Sequence, residues 1–180
     1  MLLVLEDLEE WKLDPLQAVA PQLRLILRSR IIRNDLQPMS RLSEPELAKE
    51  YSVSRQPVRE AFITLVNEGL LEIRPQRGTF VKRIDYESVL NGRFVREAVE
   101  ADIVRKLASD PDPTLVRDLR AQIKEQGKVS EGNATAFIEL DERFHRTLAR
   151  AAEVAESWEY LDSIKTQMDR VRFISSEKFP

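Results

Sequence analysis

Apolar residues recur every third or fourth position through Leu16, Val19, Leu23, Ile26, Leu27 and Ile31. That spacing lines up one face of an α-helix and predicts a helix over 15–33. Residues 34–38, Asn-Asp-Leu-Gln-Pro, break the pattern. Ser43-Glu44-Pro45-Glu46 combines an N-cap serine, a first-turn proline and early acids, predicting a second helix that carries Leu47 and Ala48 and stops near Tyr51. Ser54 is placed to cap a third helix, with Pro57 in the first turn, a stripe of Val58, Ala61, Phe62 and Leu65, and Gly69 at the end. Residues 71–74 and 79–82 alternate like two short strands joined through Pro75-Gln76-Arg77-Gly78. From Asp85 onward the pattern is helical again, over 86–109, 113–128, 135–152 and 154–175, with connections short enough for a bundle. The expected fold is mainly α: an N-terminal winged helix-turn-helix followed by an antiparallel helical bundle.

Charge divides the chain in the same places. Residues 1–14 hold one Lys against five acids, 15–84 hold twelve Lys and Arg against seven acids, and 85–180 hold fifteen against nineteen. A basic module between acidic segments points to a polyanion partner for 15–84 alone. The expected organisation is an acidic arm at 1–14, a polyanion-binding module at 15–84 and a helical domain of separate role at 85–180. No apolar run is long enough for a membrane span, and Met1 to Leu5 is too short for a signal-peptide core. With no cysteine there is neither a disulfide framework nor a thiolate metal site, which fits a cytoplasmic protein. One histidine, no cysteine, no Gly-rich phosphate loop and no G-x-S-x-G elbow give catalysis no foothold.

Helix, tight turn, helix and β-hairpin is the order of a winged helix-turn-helix, whose second helix enters the major groove with its N-terminal residues at the base edges. Ser54, Arg55, Gln56 and Arg59 occupy that place. Arg55 and Arg59 project from neighbouring turns of one face, and an arginine can read guanine through two hydrogen bonds. Arg77 and Thr79 flank Gly78 at the wing tip, suited to phosphate or minor-groove contact. Two other readings stand beside this one: arginines as solvated charges paired with neighbours such as Glu60, and a winged helix used for protein contact.

Four stretches together make a more specific match: Arg41-Leu42-Ser43-Glu44-Pro45-Glu46-Leu47-Ala48, Val53 to Ala61, Leu65 to Leu71, and Arg77-Gly78-Thr79-Phe80-Val81. Over 15–83 the chain resembles the GntR family of transcription regulators. The resemblance implies operator contacts from Arg41, Ser54, Arg55, Arg59 and the wing tip around Gly78. Ser52 stands where that pattern has glycine, and Met39 where it has proline-glycine, so each must fit a tight turn. Pro45 stands where Arg or Gln is frequent.

In the second half, Phe94 to Glu100 with Leu107-Ala108, and Asp141-Glu142-Arg143-Phe144-His145 with Leu148, resemble the FCD domain of the FadR-like branch. Taking a turn of about 100° per residue, with Phe137 as origin, Asp141 and His145 lie about 40° and 80° round, on the shoulder of a stripe of Phe137, Leu140, Phe144 and Leu148. An acid and an imidazole four residues apart can hold one cation together. They can equally form a hydrogen-bonded pair at a helix interface, and the spacing leaves both open. The resemblance implies a divalent ion (zinc, nickel or manganese) on Asp141 and His145, with further histidines from later helices. His145 is the only histidine, so the implied ion would be weakly held. The resemblance also implies further helices after Pro180, hence a truncated bundle. Its implied partners are an organic-acid or sugar-acid effector, with Arg96 as the anion partner, and operator DNA. A homodimer would read that operator as an inverted repeat. A DNA-binding dimer with no working effector pocket is the runner-up.

Overall fold

The computed structural model describes residues 12–129 and 133–178, so most of the acidic arm expected at 1–14 lies outside the described residues. The chain divides into two compact units, which meet in sequence between Ile84 and Asp85. Among the described residues no helix is long and apolar enough to cross a membrane.

The first unit begins with α1 (Val19–Ile32), shorter at its start than the expected 15–33. The cause is local. The Gln22 side chain folds back on Asp14, accepting from its N–H at 2.7 Å and donating to its carbonyl at 3.0 Å, which holds residues 14–18 as a turn. A two-residue strand β1 (Arg41–Leu42) follows, then α2 (Glu44–Glu50), capped by Ser43, whose side chain accepts from the Glu46 N–H. Next come α3 (Arg55–Asn67), β2 (Leu71–Arg74) and β3 (Gly78–Val81). The strands form one antiparallel sheet in the order β1-β3-β2, with Arg41 opposite Phe80 and Glu72 opposite Phe80 on the other side. Leu23, Leu27, Val58, Leu65, Leu70 and Val81 are fully buried in one core. At about 1.5–3 kcal/mol for each such side chain, this burial is what holds three helices and a small sheet together.

Both turn positions flagged by the missing glycines adopt left-handed backbone, Met39 at φ 72° and Ser52 at φ 55°. Each conformation costs a non-glycine residue about 1–2 kcal/mol. At Met39 the turn is clamped, because its N–H donates to the Val81 carbonyl at 2.9 Å.

The second unit is helical throughout its described residues: α4 (Tyr86–Ser109), α5 (Pro113–Gln126), α6 (Ala134–Ala151), α7 (Ala155–Ile164) and α8 (Thr166–Lys178). Asp85, Asp112 and Asn133 cap α4, α5 and α6 with their side chains, as short polar side chains do for unmet N–H groups. Ile103, Ala149, Ala152, Trp158 and Leu161 form its core. The expected single helix over 154–175 is in fact two, broken at Lys165. No glycine or proline marks the break. The Lys165 ammonium is buried there among Glu142, Asp162 and Asp169 at 2.7, 3.4 and 3.1 Å. At Gly92 the helices come close enough that a Cβ would lie 2.9 Å from the Ile164 carbonyl oxygen.

Candidate functional site

In the first unit, α3 presents Ser54, Arg55, Gln56 and Arg59 as exposed residues at its start, while Val58, Ala61, Phe62 and Leu65 bury the other face. Ser54 takes the N-cap position but makes no side-chain capping hydrogen bond, a correction to the expected serine cap. The first-turn N–H groups therefore lack that partner, and such groups together with the helix dipole favour an anion. Arg59 is loosely attended by Glu44, 3.5 Å from its Nε, with 64% of its side chain exposed. Gln56 donates to Glu60 at 2.9 Å.

The sheet gathers the remaining candidates. Arg41 lies on β1 and its guanidinium packs on Gly78, where a Cβ would meet Nε at 3.0 Å. Gly78 sits at φ 107°, so the wing tip requires glycine twice over, by conformation and by space. Arg77 is exposed in the turn, and Thr79 is half-buried opposite Leu42. Arg74, which sequence reasoning passed over, lies over the Phe80 ring at 4.8 Å and pairs with Glu72 at 2.5 Å. Alternation along β2 placed the strand but gave no sign of a guanidinium resting on an aromatic face.

In the second unit the buried face of α6 differs from the expected stripe. Phe137 is 45% exposed, whereas Ile138 and Ala149 are buried. At about 100° per residue these two lie about 100° and 120° from Phe137. His145 therefore faces the interior rather than standing at its shoulder. Its Nδ1 lies 3.1 Å from Glu100 and its Nε2 3.6 Å from Asp141, and its ring stacks on Trp158 with centroids 5.8 Å apart. Arg96 donates from Nε to the same Glu100 oxygen at 2.6 Å. Arg172 donates to Asp141 Oδ2 at 2.5 Å. Beside this group, Glu142 accepts from Lys165, Trp158 Nε1 and Arg146 at 2.7, 2.9 and 2.9 Å.

Burial alone would push both acids up. For Asp141, the neighbouring His145 and the Arg172 charge overcome it and hold the carboxyl at about 2. For Glu142, Lys165, Trp158 and Arg146 do the same, again to about 2. Desolvation lowers Arg170, buried on α8, to about 10. The four-residue spacings of Arg96 with Glu100, Asp141 with His145 and Glu142 with Arg146 are visible in sequence. Trp158, Lys165 and Arg172 reach Glu142 and Asp141 from 16 or more residues away.

The residues present do not fit a resident divalent ion. Asp141 Oδ1 and His145 Nε2 face each other, but Glu100 sits at Nδ1, on the other edge of the ring, and cannot share an ion held at Nε2. Among the described residues no group of three His, Cys, Asp or Glu side chains converges as a metal site, and protein zinc sites use at least three. The other Asp141 oxygen is taken by Arg172. A shallow depression lined by Pro111, Pro113, Val116, Arg117 and Arg120 includes none of these residues.

Comparison with known proteins agrees with both halves. Residues 20–81 match the model of the bacterial regulatory proteins of the gntR family, and residues 93–179 match the FCD domain. The HTH-type transcriptional repressor RspR of Escherichia coli K12 is 38% identical over 167 residues, 92% of this chain and 73% of the relative. The Nta operon transcriptional regulator of Aminobacter aminovorans is 30% identical over 139 residues, 76% of this chain and 63% of the relative. Among solved structures, Escherichia coli McbR/YncC shares the fold with a TM-score of 0.71 at 19% identity, covering 91% of this chain and 78% of that one. The chain belongs to the GntR family of DNA-binding transcription regulators, in the branch that carries an FCD domain, and is not an enzyme.

Proposed function

We propose that the chain binds an inverted-repeat operator as a homodimer in the cytoplasm, and that a small organic-acid or sugar-acid effector taken up by the FCD domain alters that binding. The observation that carries the DNA reading is the exposure of Arg55 and Arg59 on the first turns of α3. In this reading Arg55, Gln56 and Arg59 reach base edges and Ser54 reaches the backbone. Arg41, Arg77, Gly78 and Thr79 meet phosphates beside them. Residues 15–84 are then the reader, and 85–180 the sensing and dimerising part.

Arg96 is the residue for the effector's carboxylate. It is a buried guanidinium whose bond to Glu100 uses Nε, and its fork offers further donors to a planar anion. A weakly held zinc, nickel or manganese ion on Asp141 and His145 is the poorer reading, for the reasons of geometry given above. A dimer with no working effector site is the second reading, because Glu100 and Asp141 already occupy the guanidiniums of Arg96 and Arg172.

Selection of bound sequences from a random DNA pool tests this, with and without a panel of hydroxy-acid and sugar-acid salts. The expected product is an inverted repeat whose retention changes with one of the acids. Recovery of a single asymmetric half-site by a monomer refutes the dimeric reading. Retention indifferent to every acid favours the dimer without an effector.

A further inference from the structure

The two carboxylates beside His145 each carry their own guanidinium. Glu100 is held by Arg96 at 2.6 Å and Asp141 by Arg172 at 2.5 Å. Both are partly or largely shielded, with 23% and 20% of their side chains exposed. Nδ1 lies 3.1 Å from Glu100, and Nε2 faces Asp141 Oδ1 at 3.6 Å. That half of the arrangement is how metal-ligating histidines are oriented. The other half is missing, because positive charge is already supplied from α8.

We infer that Arg172 is the resident cation of this cluster: its guanidinium, bonded to Asp141 Oδ2, supplies the positive charge that a divalent ion at the neighbouring Oδ1 would otherwise bring, so that any effector anion is held by arginine alone. The inference rests on the reading of this cluster as the effector site, and it adds what the site uses for charge. Arginine keeps its proton throughout the physiological range and holds a carboxylate through a planar fork. A divalent ion arriving at Asp141 would be repelled by the guanidinium bonded to the same carboxylate, and shielding from solvent strengthens that repulsion.

The test uses the full chain, stripped with a chelator and melted with and without millimolar nickel. The native protein and Arg172→Lys, which keeps the charge, are expected to melt at unchanged temperature. Arg172→Gln is expected to gain at least about a hundredfold in nickel affinity once the repulsion is gone. Its midpoint should then rise by about 2–4 °C in nickel, and the added change His145→Ala should abolish the rise. An Arg172→Gln protein that folds and ignores nickel overturns the inference. Should that variant not fold, equilibrium dialysis of the native chain against nickel decides. Stoichiometric uptake abolished by His145→Ala overturns the inference, and absence of such uptake supports it. None of these arms contains DNA or an effector acid, so failure of the effector reading would appear in the DNA selection and leave these results intact.

Discussion

Replacing Glu142 by glutamine removes one negative charge and leaves the side chain's shape. The carboxylate is 12% exposed and lies 2.7 Å from the Lys165 ammonium and 2.9 Å from Arg146. In the native protein its pKa falls from 4.5 to about 2, burial being outweighed first by Lys165 and then by Trp158 and Arg146. A fall of that size corresponds to about 3 kcal/mol of stability near neutral pH. Because the folded value is the lower one, the contribution is whole above 4.5 and is lost as pH drops toward 2. By about pH 3.5 roughly 1.4 kcal/mol of it should be gone.

Glu142→Gln should therefore destabilise the second unit by about 2–3 kcal/mol at about pH 7, softened because Lys165 keeps Asp169 and Asp162. The gap to the native protein should narrow by roughly 1.4 kcal/mol at about pH 3.5. Urea unfolding followed by tryptophan emission measures this, with Trp11 replaced by Phe so that Trp158, which donates to Glu142, is the reporter. A gap of the same size at both pH values would mean that the charge of Glu142 contributes nothing specific. The reasoning from the ion cluster would then be wrong.

Gly92→Ala should lower the thermal midpoint, since its Cβ would press on the Ile164 carbonyl at 2.9 Å and helix backbone yields at about 1–3 kcal/mol; an unchanged midpoint would refute the close approach. Gly78→Ala should weaken DNA binding in a gel-shift titration and leave the helical core folded, because it strains a φ of 107° and displaces Arg41. Arg55→Ala should cost about 1–3 kcal/mol of operator affinity and relax base preference at one position. Arg77→Ala should weaken binding evenly across sequences and reduce the salt slope by about 1. If selection with Arg55→Ala returns the native site at native affinity, α3 is not the reading helix.

The winged helix-turn-helix was legible because its punctuation is local. Ser43, Pro45 and Pro57 each act within one turn of chain, and the non-glycine turn positions at 39 and 52 announced their left-handed backbone by what they lacked. Strand β1 was not legible, since two residues carry no alternation and Arg41–Leu42 becomes a strand only by pairing with β3. Nor was the break at Lys165, where a buried ammonium gathers acids from 23 residues upstream and from three and four residues to either side. The polar interior of the second unit escaped for a related reason. Helical periodicity sorts apolar from polar residues, and it misassigns a face on which Asp141, Glu142 and His145 stand half-buried beside Ile138 and Ala149.

Strand β3 is the middle strand of its sheet and also the last stretch of the first unit before the chain runs on to α4. On one side it is stitched to β2, and on the other to Arg41–Leu42 and to Met39, whose N–H grips the Val81 carbonyl. A pull on Val81 from downstream is thus a pull on a thread sewn along both edges. It would reach Gly78 at one end of the strand and the lead-in to α2 at the other in a single motion, with no slack between them. A tug of that kind would shift the wing tip and Arg41 together, so under the proposed reading the two would leave or meet a phosphate backbone as one piece.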